Sequence, residues 1–249
     1  MAFPGGVAAV RLVLGLSLIG AIVSLPLVAF GDPPKGVTDA VCRPTFQVGK
    51  DDKGAGTAFL VETGLAKTPV ALFTAHHLFG PDGGMGRQMT WQDLPKNVKG
   101  AACESLDRKR SIKATVPVPV TDARTYSDLS GPVRDLAIFP VPAAGVTPLK
   151  LAKEAPAVGA TVWLVGQAFA GAPATVLLHK AKVVSAYDIG LTYEMVDTKL
   201  NLAGTSGAPV VNENGEVVAI NLMGGLQRGH LIASGNGVRV FKTVLAGIK

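Results

Sequence analysis

The sequence predicts an all-β protein made of two antiparallel barrels with a cleft between them. Three observations lead there. Beyond residue 31 helical periodicity is nearly absent, and short β-branched runs alternate with Gly, Pro, Asn and Asp. The runs fall into two groups of about half a dozen, the pattern of side-by-side barrels. Between the groups lies a Pro- and Ala-rich segment with one Gly, residues 142–148, suited to a linker.

Taken in order, the chain starts with a leader. Residues 12–30 carry no charge and follow Arg11, which reads as an export signal or a membrane anchor and stands outside fold reasoning. Pro26 interrupts the run ahead of Ala29-Phe30-Gly31, where alternate small residues suit signal peptidase and would leave Asp32 as the mature N-terminus. The same run approaches the roughly 20 residues that cross a bilayer, so a retained anchor is the alternative. On either reading the protein is expected to be secreted or periplasmic, touching a membrane only through residues 12–30. The expected division is 1–31 leader, 32–145 first barrel and 146–249 second barrel.

Candidate strands of the first group are 45–48, 57–61, 70–74, 112–116 and 136–141. Those of the second are 161–165, 176–186, 208–212, 216–222 and 237–241, with a short terminal helix over 241–248. The formal charge is +6, and near +5 without the leader. The basic residues do not form a long run, and Arg108-Lys109-Arg110 is the one cluster. Without a basic helix or aromatic stacking positions, a nucleic-acid partner is not expected. Cys42 and Cys103 are expected to form one disulfide in an exported chain. Two buried free thiols are the alternative.

Three segments carry chemistry. In Gly204-Thr205-Ser206-Gly207-Ala208-Pro209, glycines beside a serine let the backbone bend so that successive N–H groups converge. A serine hydroxyl still needs a base to become a nucleophile. In Leu72-Phe73-Thr74-Ala75-His76-His77, an apolar strand delivers an imidazole to the turn where it ends, suited to a general base. In Arg134-Asp135-Leu136-Ala137-Ile138-Phe139, an acid opens an apolar strand, the place for a carboxylate that orients a histidine. Asp128 is the rival acid, but it leads into Gly131-Pro132 rather than a strand. Adjacent His76 and His77 diverge, and only His179 and His230 remain as further imidazoles, so no metal site is expected. No cofactor is called for.

The order His, Asp, Ser at three strand-to-turn junctions resembles the chymotrypsin-like (trypsin-fold) serine protease family, bacterial branch, over residues 40–243. The run Asn214-Gly215-Glu216-Val217-Val218-Ala219-Ile220-Asn221 is similar to the hairpin after the serine in that branch. The resemblance implies two six-stranded antiparallel β-barrels with the active site between them. It implies an endopeptidase acting on protein or peptide substrates, with His77 as base, Asp135 as orienting acid and Ser206 as nucleophile. The N–H groups of Gly204 and Ser206 would form the oxyanion hole. Leu200 would floor the primary pocket, and Asn221, Leu222 and Met223 would line the cleft and pair with the substrate backbone. Thr205 stands where the digestive enzymes carry an aspartate, and no Ile-Val-Gly-Gly-type start is present, so activation through a freed N-terminus is not implied.

Two rivals frame this expectation. An α/β-hydrolase needs its acid and histidine after the serine, yet the 43 residues following Ser206 contain no aspartate. A catalytically silent trypsin-fold protein, acting as a binding module at the cell envelope, shares every motif named above.

Overall fold

The computed structural model describes residues 32–128 and 133–248. The expected leader lies outside the described residues. Among them, no helix is long and apolar enough to cross a membrane.

Among the described residues, fourteen strands form two antiparallel sheets within one compact unit. The first sheet holds β1 (Val41–Val48), β2 (Asp51–Gly54), β3 (Ala58–Leu65), β4 (Thr68–Thr74), β5 (Val98–Ser105), β6 (Ser111–Ala114) and β7 (Ala137–Pro140). Its order is β6-β5-β1-β3-β4-β7, with β2 folded back on β1. Past β6 the chain returns to β7, where Thr115 and Val118 donate their N–H groups to Pro140 and Ile138 (2.9 Å each). That pairing closes the sheet on itself.

The second sheet holds β8 (Thr161–Val165), β9 (Leu178–Tyr187), β10 (Gly190–Met195), β11 (Pro209–Val211), β12 (Val217–Ile220), β13 (Met223–Gln227) and β14 (His230–Asn236), ordered β12-β11-β8-β9-β10-β14-β13. The Leu222 N–H donates to Ser234 (3.0 Å), and an antiparallel bridge joins Ala219 to Gly237, tying the β12 end back to β14. Each sheet counts seven strands where six were expected. One in each is a short hairpin arm: β2, turned at Gly49, and β13, turned at Arg228 and Gly229 with φ of 51° and 88°. Two consecutive left-handed residues give the turn whose twist matches a hairpin.

Phe46, Phe79 and Phe139 stack at the centre of the first barrel, with ring centroids 4.6–5.9 Å apart. Aromatic pairs at such distances add about 0.5–1.5 kcal/mol each beyond burial. Cys42 on β1 and Cys103 on β5 are joined by a disulfide across neighbouring strands, with Cα atoms 5.5 Å apart and both residues buried. A one-turn helix, α1 (Leu94–Asn97), leads into β5.

The strand expected over 237–241 is instead the start of α2 (Val238–Gly247). Val238, Phe241, Val244 and Leu245 recur at helical spacing and are buried. Phe241 meets Phe73 edge-on at 5.8 Å, so the helix packs into the first core and tertiary contact overrides the β-branched local preference. β5 has no strand signature in the sequence because Gly100, Ala101 and Ala102 have little β propensity. Gly100 is nevertheless required there, since a Cβ would lie 2.7 Å from the Ala114 carbonyl oxygen.

Candidate active site

β4 ends at Thr74, whose hydroxyl donates to the Thr57 carbonyl (2.8 Å). Residues His76–Phe79 then make a 3-10 turn with all four side chains buried, anchored by Phe79 in the aromatic cluster. β7 pairs with β4 through Thr74 and Ala137, which sets Asp135 beside the turn. The His77 backbone N–H donates to Asp135 Oδ1 and the His77 ring Nδ1–H to Oδ2, both at 2.8 Å. The Tyr126 N–H donates to Oδ2 at 2.9 Å. Asp135 is wholly buried, so these donors replace the water it has lost. A carboxylate only accepts, so His77 carries its hydrogen on Nδ1 and Nε2 is the basic nitrogen. The Tyr126 ring meets the His77 ring edge-on at 5.0 Å.

The two adjacent histidines part company. His76 turns away to the Met89 carbonyl (Nε2, 3.0 Å), and its backbone oxygen accepts from the Gln88 amide (3.1 Å). Its Nδ1 is buried without a hydrogen-bond partner. Burial pushes the His76 imidazole below its ordinary value, opposed by the nearby Asp135 charge. The rival acid Asp128 lies at the surface facing Arg124 (3.8 Å). His179 bonds the Gly166 carbonyl and His230 the Glu194 carboxylate. Among the described residues no group of three or more His, Cys, Asp or Glu could hold a metal ion.

Ser206 sits in the turn before β11. Gly207 has φ 86°, and a Cβ there would lie 2.2 Å from the Thr57 carbonyl oxygen and 2.6 Å from Thr74 Oγ1. Only glycine lets the serine turn press against the first barrel this closely. Thr57 grips the same turn with two bonds, N–H to the Ser206 carbonyl and Oγ1–H to the Gly204 carbonyl (2.8 Å each). The half-buried Ser206 hydroxyl donates to the Leu222 carbonyl at 3.4 Å, a weak length that costs little to break.

Behind the serine, Thr205 is fully buried. Its hydroxyl donates to Leu202 (2.6 Å) and accepts from the Asn221 amide (2.9 Å), and Asn221 Oδ1 accepts from the Tyr193 hydroxyl (2.6 Å). Burial holds the Tyr193 phenol well above its usual range, so it stays a donor. A neutral chain of hydrogen bonds thus supports the loop where Thr205 stands in place of an acid.

A cleft of about 750 Å³ runs along the serine turn, bordered by Ser206, Gly204, Leu200, Asn221, Leu222 and Met223. The residues expected to bind substrate therefore share one cavity, in unequal roles. Leu200 and Leu222 are buried wall, and Met223 is half exposed at the edge of β13. Asn221 borders the cleft as well, with both ends of its side-chain amide engaged behind Ser206, where it supports the serine turn. A second cavity of about 490 Å³ adjoins Gly204 on the side of Thr57, Arg43, Gln167 and Phe169.

Several residues at the site carry no mark in the sequence. Asn236, at the end of β14, accepts the Asp135 N–H through Oδ1 (2.7 Å), and its Nδ2 donates to the Val133 and Ile189 carbonyls (3.0 and 3.2 Å). In Gly235-Asn236-Gly237 it has the composition of an ordinary turn, and nothing local marks it. Tyr126 was missed for the same reason, since it acts through its backbone.

Residues 56–220 match the family described as the trypsin-like peptidase domain. The fold is similar to the active form of the Rv3671c protease from M. tuberculosis, at 17% identity over 88% of this chain and 87% of that one, with a TM-score of 0.56. It is similar to neuropsin, a serine protease expressed in the limbic system of mouse brain, at 12% identity over 84% and 94%, with a TM-score of 0.57. A serine endoprotease from Yersinia pestis aligns at 15% identity over 84% and 62%, with a TM-score of 0.55. No curated protein matches the sequence.

Proposed function

The chain belongs to the family of trypsin-like peptidase domains and is a serine endopeptidase, and we propose that His77, Asp135 and Ser206 are its catalytic triad. The observation that carries this reading is the buried two-point grip of Asp135 on His77. It holds the imidazole in one tautomer and one orientation, which a general base requires.

In the proposed reaction the Ser206 hydroxyl leaves its long bond to Leu222 and attacks a peptide carbonyl while His77 Nε2 takes the proton. The Gly204 and Ser206 N–H groups receive the oxyanion. Collapse breaks the C–N bond, and His77 returns the proton to the leaving amine. Water, activated by the same imidazole, then hydrolyses the acyl-enzyme and restores Ser206. Asp135 keeps accepting from the His77 Nδ1–H throughout and stabilises the imidazolium. Residues 32–145 and 146–249 form the two barrels flanking this chemistry. The second also carries α2, which returns to the first core.

Export accompanies this reading. The uncharged run 12–30 and a disulfide between Cys42 and Cys103 both suit an oxidising compartment outside the cytosol. Substrates are proteins or peptides met there. Mass spectrometry of the protein from its cell envelope distinguishes a chain starting at Asp32 from one that keeps the run.

A fluorophosphonate probe tests the triad. Wild-type protein is expected to label and to hydrolyse peptides, Ser206→Ala to do neither, and His77→Ala to lose as much turnover as Ser206→Ala, because triad members act as a unit. Undiminished hydrolysis by folded Ser206→Ala would overturn the assignment. Absence of labelling in folded wild type would favour the silent binding module.

A further inference from the structure

We propose that the cleft beside Ser206 selects an uncharged aliphatic side chain at the residue whose carbonyl is attacked; this rests on the serine chemistry proposed above. The cleft starts at Ser206 and Gly204, so a side chain entering it belongs to the residue being acylated. Its walls are Leu200, Leu202, Leu222 and Leu231, each at most 9% exposed. β13 contributes Gly224 and Gly225, which present no side chain. At Gly224 the space a Cβ would need is already taken by Leu202 Cδ1 (2.7 Å) and Ala233 Cβ (3.2 Å). At Gly225 a Cβ would meet nothing within 4 Å, so the space beside that residue is open.

The two asparagines bordering the cleft are engaged within the protein. Asn221 accepts from Tyr193 and donates both amide hydrogens to Thr205. Asn201 Oδ1 accepts the Ala203 N–H (3.0 Å), and its backbone pairs with Ala170 and Phe169. Among the described residues no acidic side chain lines the cleft, and the one cation there, Lys199, is exposed beside Thr198. A lysine or arginine side chain would therefore enter without a counter-charge, past a charge of the same sign. An aspartate or glutamate would leave water for leucine walls. Charges are costly to desolvate without partners, whereas an aliphatic group gains from the same surface.

The test is a series of quenched peptides identical except at the residue before the cut, which is Ala, Val, Leu, Phe, Lys or Asp. Leu or Val is expected to exceed Lys and Asp by about 10- to 100-fold in kcat/KM. Lys or Asp equal to or above Leu would overturn the proposal. Fluorophosphonate labelling of Ser206, run in parallel, reports separately on the serine chemistry. If labelling fails, titration of the same peptides against the protein still decides the cleft: tighter binding of Leu than of Lys or Asp supports it, and equal binding overturns it.

Discussion

Asn236, at the end of the last strand of the second sheet, accepts the backbone N–H of Asp135 from the first barrel at 2.7 Å. Its amide also holds the carbonyls of Val133 and Ile189, so one side chain of the second barrel fixes the segment that carries the acid. The elements around Ser206 are joined in the opposite sense, through Thr57 of the first barrel. The candidate site is thus cross-braced, each barrel holding the other's functional segment.

Asn236→Leu should therefore loosen Asp135 without touching substrate. It leaves the buried Asp135 N–H and the Val133 carbonyl without these partners, while the Ile189 carbonyl keeps its bond from the Gly237 N–H (3.3 Å), at a cost of about 2–3 kcal/mol in total. Turnover is expected to fall by about 10-fold or more with KM little changed, because the loss is in orientation of the base. Urea unfolding with steady-state kinetics checks both parts. A stable variant with wild-type kcat would show that Asn236 does not position Asp135.

The buried His76 makes stability depend on pH. Burial pushes its pKa below the ordinary 6.5, more than Asp135 pulls it up, so the unfolded chain takes up the proton first as pH falls. Stability from this site is complete above pH 6.5 and is lost progressively on acidification toward the depressed folded value. His179, buried against the Gly166 carbonyl, shifts in the same direction for the same leading reason. His76→Gln removes one titrating group while keeping an N–H donor for Met89. Its thermal midpoint should decline less steeply than wild type between about pH 7 and 5. Parallel profiles would refute this origin.

The Cys42–Cys103 disulfide spans a sequence separation of 61. Closing a loop of that size restricts the unfolded chain and is worth about 4 kcal/mol in the chain-entropy account. The double variant Cys42→Ala/Cys103→Ala should lose about this much in urea unfolding. A loss under about 1 kcal/mol would mean that strand pairing between β1 and β5 already supplies the constraint.

The strands with unbroken apolar runs, such as β4, β7 and β8, were legible because strand propensity and burial agree there. β5 was not, since its small residues are chosen for a close approach to Ala114 that appears only when β6 is alongside. α2 was half legible. Residues from Phe241 on read as helix, while Val238 and Val240 read as strand until Phe73 and the first core supplied a face for them.

By itself, the sequence determined the all-β class and the three segments in which His77, Asp135 and Ser206 end up. Each is a local event, a chemically capable side chain set where an apolar strand meets glycine or a turn. Only the tertiary structure decided that His77 faces Asp135 while His76 faces Met89, since neighbours in one turn differ solely in direction. It also decided the work of Thr57, Asn221 and Asn236, whose partners lie 147, 16 and 101 positions away. Hydrogen bonds of that reach leave no mark on the residues beside them. They exist because two closed sheets bring distant chain segments within 3 Å, and no local pattern encodes that proximity.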